Sequence, residues 1–301
     1  MRVGVVGVGA MGEHHARIYS QMDNCELVGL MDVDPERAKA VAKKYGTNAF
    51  SDAEALLGEK PDAVSIVVPT SLHKEVASKF MSKGVSCLVE KPIASTLDEA
   101  KEMISISERE NTTLMVGHIE RFNPAVLKLK EVVREGKLGK ILLISTRRVG
   151  PIASRIRDVG IIIDSATHDI DVIRYITEEE PRLIRAVSGN YKHTKEDYAI
   201  IVMELDQTIA SVEVNWFTPV KVRTLIATGT EGTANLNYID QTVEIVNNAG
   251  RSQLNIVKEE PLKVELGHFI ECLRTGRKPL VDGTEGLRDL EVALTAMNDR
   301  A

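Results

Sequence analysis

Three short stretches of this chain hold residue types whose spacing suits chemistry. The stretch "DSATHDID" (164–171) sets Asp164, His168 and Asp171 four and three residues apart. On a helix, that spacing brings all three side chains to one face. An imidazole flanked by carboxylates is suited to accept or donate a proton near neutral pH. Asp169 is expected to point elsewhere and be solvated. The stretch "LVEKP" (88–92) ends an apolar run in Glu90 and Lys91, followed by Pro92. The proline disfavours helical backbone at Lys91 and so fixes the direction in which the amine leaves the strand. An ammonium held there can hydrogen-bond a substrate hydroxyl, with Glu90 holding it in place.

The third stretch is "VGVVGVGAMG", which places Gly7, Gly9 and Gly12 as G-x-G-x-x-G between a strand and a helix. Gly7 permits the tight turn, Gly9 lets a pyrophosphate approach the backbone, and Gly12 allows helix to pack on strand. The helix start at Ala10 and Met11 supplies N–H groups to the phosphates. Asp32 follows Gly7 by 25 residues, about where a carboxylate binds the adenine ribose hydroxyls of a dinucleotide. A carboxylate repels a 2′-phosphate, and no arginine directly follows it in "MDVDPER", so NAD is favoured over NADP.

Elements must carry these groups. Up to about Gly117, β-rich runs ("RVGVV", "CELVGLMD", "DAVSIVV", "VSCLV", "TLMVG") alternate with helical patterns such as "PERAKAVAKKY" and "TLDEAKEMISISEREN". Repeated β-α alternation predicts a doubly wound parallel sheet, in which ligands bind beyond the carboxyl ends of the strands. Lys91 and the glycine turn share that rim. Beyond residue 118, "AVLKLKEVVREG" and "ATHDIDVIRYI" read as helices, and 182–257 reads mostly as strands broken by turns such as "TGTEGT" and "NNAG". The expected architecture is a Rossmann domain over 1–118, then an α+β domain over 119–301 built on a large, antiparallel-rich open sheet. That second domain is expected to bind substrate and to mediate assembly.

Composition narrows the function. The chain has 301 residues, 43% hydrophobic and 27% charged, with a formal net charge of −6. An acidic surface offers no footprint for nucleic acid or an anionic membrane. Three widely spaced cysteines, Cys25, Cys87 and Cys272, fit a reducing cytoplasm. After the glycine turn comes the charged "EHHAR" rather than an apolar leader, and no run approaches the ~18 apolar residues of a membrane span. A soluble cytoplasmic protein is expected. His14 and His15 are assigned to packing or solvation. His193 and His268 lack partners at ligand spacing, so no metal is expected.

Taken together, the glycine turn, "VPTSLH" (68–73), "GVSCLVEKP" (84–92) and "DSATHDID" (164–171) make the whole chain resemble the Gfo/Idh/MocA family of nicotinamide-dependent sugar oxidoreductases. The resemblance implies that Lys91 is catalytic and that the bond before Pro92 is often cis. It also implies that the loop bearing Pro69, Thr70 and His73 contacts the nicotinamide ribose, although Thr70 stands where Asn is frequent. Glu90 and Lys91 complete the expected cofactor contacts. His168 becomes the acid/base, Asp164 the residue that orients substrate, and Lys91 the polariser of the hydroxyl or carbonyl; Asp171 would orient His168 or another neighbour.

The loop "TRRVGPIASRIRDVG" (146–160) holds Arg147, Arg148, Arg155 and Arg157. Guanidinium groups bind phosphate oxygens in forked, charge-assisted pairs, so a nucleotide sugar is expected, with Arg155 and Arg157 in the substrate set. "GHIERFNP" (117–124) beside these arginines is similar to the branch that oxidises the 3-hydroxyl of UDP-N-acetylglucosamine. An inositol or unphosphorylated-sugar dehydrogenase, an NAD-retaining glycosidase and a non-enzymatic NAD-binding regulator are the competing readings.

In "YAIIVMEL" (198–205) both strand faces are largely apolar, whereas a half-solvated sheet should alternate. One face is therefore expected to meet a second copy, in a homodimer or homotetramer.

Overall fold

The computed structural model describes residues 1–151 and 159–299. Two compact units divide the chain. The first joins Met1–His118 to Leu262–Arg288, and the second joins Ile119–Pro261 to the segment from Asp289 onward. The expected second domain, unbroken over 119–301, is thus interrupted: 262–288 belongs to the first unit.

In the first unit, strands β1 (Arg2–Val6), β2 (Glu26–Met31), β3 (Asn48–Phe50), β4 (Ala63–Ile66), β5 (Ser86–Glu90) and β6 (Leu114–Gly117) pair in parallel in the order β3-β2-β1-β4-β5-β6. Helices α1 (Ala10–Ser20), α2 (Pro35–Tyr45), α3 (Ala53–Gly58), α4 (His73–Met81) and α5 (Leu97–Arg109) make the crossovers. Local chemistry sets their starts. Asp34 caps α2 by accepting from the amides of Glu36 and Arg37, with Pro35 in the first turn, and Thr96 with Glu99 forms a capping box on α5. The strand order reverses between β1 and β4, which is where such sheets open a ligand crevice. The edge at β6 is covered by the returning segment: the Val116 amide donates to the Val281 carbonyl at 2.9 Å, and Met115 bridges to Asp282.

The second unit is built on β7 (Ile141–Pro151), β8 (Leu183–Gly189), β9 (Tyr198–Glu204), β10 (Ile209–Asn215), β11 (Phe217–Gly229), β12 (Thr233–Asn237), β13 (Thr242–Asn247) and β14 (Gly250–Gln253). They lie in the order β14-β13-β12-β11-β7-β10-β9-β8, antiparallel except for the parallel pair β7–β10. Residues 146–151, expected as loop, are the second half of the central strand β7. Helices α6 (Pro124–Arg134) and α7 (Thr167–Thr177) pack on one face of this sheet, where Ile144, Ile201, Met203, Val212 and Leu225 are buried. The opposite face carries Leu143, Val187, Ile200, Val202, Ile209 and Ile226, all exposed. Two further helices, α8 (Pro261–Thr275) and α9 (Gly283–Asn298), end the chain. Among the described residues, no helix is long and apolar enough to cross a membrane.

Candidate active site

The first unit holds a dinucleotide cradle. Gly7 has φ +85, and a Cβ there would lie 2.4 Å from the Val67 carbonyl oxygen. A Cβ on Gly12 would fall 1.8 Å from the Gly7 carbonyl oxygen, whereas one on Gly9 would meet nothing within 4 Å. The turn is therefore closed on its protein side and open at Gly9. Gly9 also caps α1 without any side-chain hydrogen bond, so the first amides of the helix, at Ala10 and Met11, face outward with the positive end of the helix dipole. A pyrophosphate fits such a cradle.

Asp32 follows β2 and is buried. Its Oδ2 accepts from the Val8 amide at 2.8 Å and its Oδ1 from the Asp34 amide at 2.9 Å. Arg37, from the first turn of α2, forks onto both oxygens at 3.0 and 2.6 Å. Burial opposes ionisation of Asp32, but Arg37 and the two amides outweigh it and hold the carboxyl below its ordinary range. The sequence reading noted that no arginine directly follows Asp32; the structure brings one onto it from five positions on.

Beyond β5, the Lys91–Pro92 bond is cis and Lys91 is half-buried. Glu90 was expected to hold the Lys91 ammonium. Its carboxylate accepts from His15 Nε2 at 3.1 Å through Oε1, and its Oε2 takes the Lys91 amide at 3.3 Å. Burial works against the Glu90 charge, yet the His15 hydrogen bond and the charges of His15, Lys91 and His73 keep its pKa below the usual glutamate value. Gly117, the register partner of Glu90, leaves room for the carboxylate: a Cβ there would lie 3.1 Å from it. His15 is fully buried and is the residue that sequence reasoning missed, since nothing local links it to Glu90 75 positions away.

His73 was expected at the cofactor, and the structure turns it inward. It is 1% exposed, with Nδ1 2.9 Å from the Pro92 carbonyl oxygen and Nε2 2.9 Å from that of Val68. It ties the turn after Lys91 to the loop before Pro69 and Thr70. A neutral ring can donate to just one of two carbonyls. Burial lowers the His73 pKa, and the two carbonyls pull against that. Pro69 is exposed and Thr70 half-buried at the start of a 3-10 turn (Thr70–Leu72).

In the second unit, "DSATHDID" enters α7 through a π-helical turn, Ile162–Ala166, a deformation common at functional sites. Asp164 and His168 are half-exposed, and Asp164 Oδ2 accepts from the Ser165 hydroxyl at 2.9 Å. Asp171 does not share that exposure: it is 1% exposed and accepts from Arg121 Nε at 2.8 Å. Asp169, expected in solvent, is fully buried. Its two oxygens accept from Arg148 Nε at 2.7 Å and Nη2 at 3.3 Å, and Arg148 Nη1 reaches Glu120 at 3.0 Å. Asp169 and Glu120 drive the Arg148 pKa upward despite its burial. Removing one member of a buried pair of this kind typically costs ~3–5 kcal/mol, so the segment bearing His168 is firmly anchored. Of the four arginines expected to meet phosphate, Arg147 and Arg148 are engaged otherwise. Arg147 pairs with Glu213 at 3.0 Å on the opposite sheet face, Arg148 is internal, and Arg155 and Arg157 lie outside the described residues. Among the described residues, no cluster of three or more His, Cys, Asp or Glu is arranged to hold a metal.

Comparison with known proteins agrees with this layout. Residues 1–118 match the GFO/IDH/MocA oxidoreductase family, NAD-binding Rossmann fold, and residues 126–235 match the GFO/IDH/MocA C-terminal domain. The chain is 31% identical to a UDP-N-acetylglucosamine 3-dehydrogenase of Acidithiobacillus ferrooxidans, over 98% of this chain and 95% of that one. It is 30% identical to a scyllo-inositol 2-dehydrogenase (NAD(+)) of Bacillus subtilis, over 99% and 93%. A solved structure of the Acidithiobacillus ferrooxidans 3-dehydrogenase superposes with a TM-score of 0.93 at 32% identity, covering 100% of this chain and 97% of that one.

Proposed function

The chain belongs to the Gfo/Idh/MocA family of NAD-dependent oxidoreductases, and on that premise we propose that it oxidises a ring hydroxyl of a nucleotide-activated sugar, the 3-hydroxyl of UDP-N-acetylglucosamine. The observation that carries the alcohol chemistry is local to the π-helical turn and the start of α7. Asp164 and His168 stand half-exposed while their neighbours Asp169 and Asp171 are drawn into buried pairs with Arg148 and Arg121. Two groups are thus presented and two are spent on holding them. The choice of sugar is supported by the near-complete coverage of the UDP-N-acetylglucosamine 3-dehydrogenase relative.

Bound NAD supplies the acceptor for the hydride that leaves the carbinol carbon. The glycine turn and the first amides of α1 take the pyrophosphate, and Asp32 takes the adenine ribose hydroxyls. Lys91 donates a hydrogen bond to the reacting oxygen and stabilises the charge it gains as its proton departs. His168 accepts that proton, and Asp164 accepts a hydrogen bond from the sugar and fixes its orientation. The balance is one alcohol and NAD giving one ketone, NADH and a proton.

A second reading, oxidation of an uncharged polyol, is favoured by the scyllo-inositol 2-dehydrogenase relative. A panel of UDP-sugars, free sugars and inositols with NAD, followed at 340 nm, separates the two. Sustained NADH formation with UDP-N-acetylglucosamine supports the proposal, and turnover confined to inositols overturns it.

The exposed apolar face of the second-unit sheet supports a homodimer built through β7, β9 and β10, with small-molecule substrate and NAD as the other partners.

A further inference from the structure

Strands β7 and β11 set two arginines side by side. Arg148 and Arg223 are register partners, on the sheet face where Arg148 is buried. Like charges directly opposite one another across strands are unfavourable, so each needs a compensating role. That of Arg148 is structural, since it forks onto Asp169 and reaches Glu120. Arg223 differs. Its side chain is 35% exposed, its Nη1 stands 3.6 Å from the Glu120 oxygen that Arg148 already holds at 3.0 Å, and no other described residue pairs with its guanidinium. Among the described residues, this planar fork of five donors thus has one ion-pair partner, long and shared. Burial and the Arg148 charge press the Arg223 pKa down against the pull of Glu120, Asp169 and Asp164. The same balance places it within the electrostatic reach of Asp164 and of Asp169, the neighbour of His168.

Arg147 is taken up by its surface pair with Glu213 and Arg148 by its buried pair with Asp169, so neither is left for a substrate phosphate. We propose that Arg223 is a substrate-binding residue that grips the diphosphate oxygens of the nucleotide sugar in a bidentate contact. The inference rests on the nucleotide-sugar reading above. Glu120 does not neutralise the guanidinium fully, because its charge is shared with Arg148.

The test is calorimetric titration of UDP into protein saturated with NADH, which keeps the nucleotide out of the dinucleotide cradle. Wild type should bind UDP; Arg223→Gln should weaken that binding ~20-fold or more and Arg223→Lys by less, since lysine keeps the charge and loses the fork. NADH affinity and Tm should stay at wild-type levels, and the loss in turnover of the UDP-sugar should fall on KM rather than kcat. Equal UDP affinity in Arg223→Gln and wild type, with UDP-sugar turnover intact, would overturn the inference and leave the functional reading standing. A matching loss of NADH affinity or Tm would overturn it by showing a structural role. A wild type that binds no UDP and oxidises only uncharged polyols would overturn both.

Discussion

His15, inside the dinucleotide-binding helix α1, donates from Nε2 to Glu90 Oε1 at 3.1 Å. Helix α1, whose start is proposed to receive the pyrophosphate, and the strand end that precedes Lys91 are therefore joined by a charge-assisted contact. Glu90 has its pKa held down in the folded protein. A depressed carboxyl adds stability that is present above its unfolded pKa and is lost as pH falls through the folded value. Thermal stability should accordingly drop as pH is lowered below the ordinary glutamate value of 4.5, and Glu90→Gln should flatten that part of the profile. A Tm profile in Glu90→Gln identical in shape to wild type would show that Glu90 carries none of it.

Lys91 and His168 are assigned to chemistry and not to folding. Lys91→Ala should keep NAD affinity and Tm near wild type while kcat falls by ~10²-fold or more, the scale of a lost electrostatic stabiliser. His168→Asn should remove the near-neutral titration from the kcat/KM profile. Ordinary turnover in well-folded Lys91→Ala, or a surviving inflection in His168→Asn, would move the roles to other groups.

Cofactor choice turns on Asp32 and Arg37. With the carboxylate held in place by two backbone amides, NAD should bind at least ~10-fold better than NADP, the 2′-phosphate meeting like charge and losing the hydroxyl contact. Asp32→Ser leaves Arg37 facing the ribose and should narrow or reverse the preference. Equal binding of both cofactors to wild type would mean that Asp32 does not meet the ribose.

Assembly is tested on the exposed sheet face. Light scattering at micromolar concentration should give at least twice the 33.1 kDa of one chain, and Val202→Arg should shift the protein toward monomer. A wild type at 33.1 kDa would refute the dimer.

The parallel first sheet was legible because its strands are short apolar runs alternating with helical periods, a pattern carried entirely by neighbours in sequence. What escaped was carried by distant partners. β3 is three residues long and too short to show a period. Thr146–Pro151 read as loop because Arg147 and Arg148 look solvated in isolation; Asp169 and Glu120 bury Arg148 from 21 and 28 positions away. Asp169 was misplaced for the same reason, and the return of 262–288 to the first unit has no local signal. Arg37 was within reach, since the Pro35 helix start puts it in the first turn, on the side facing Asp32.

The most direct test of the proposed reaction uses UDP-N-acetylglucosamine carrying deuterium at C3, incubated with the enzyme and NAD. The account predicts that the label leaves the sugar and appears in the reduced cofactor, seen as a one-mass-unit gain in NADH, with a ketone at C3 of the product. Unlabelled NADH formed while the deuterium stays on the sugar would contradict it.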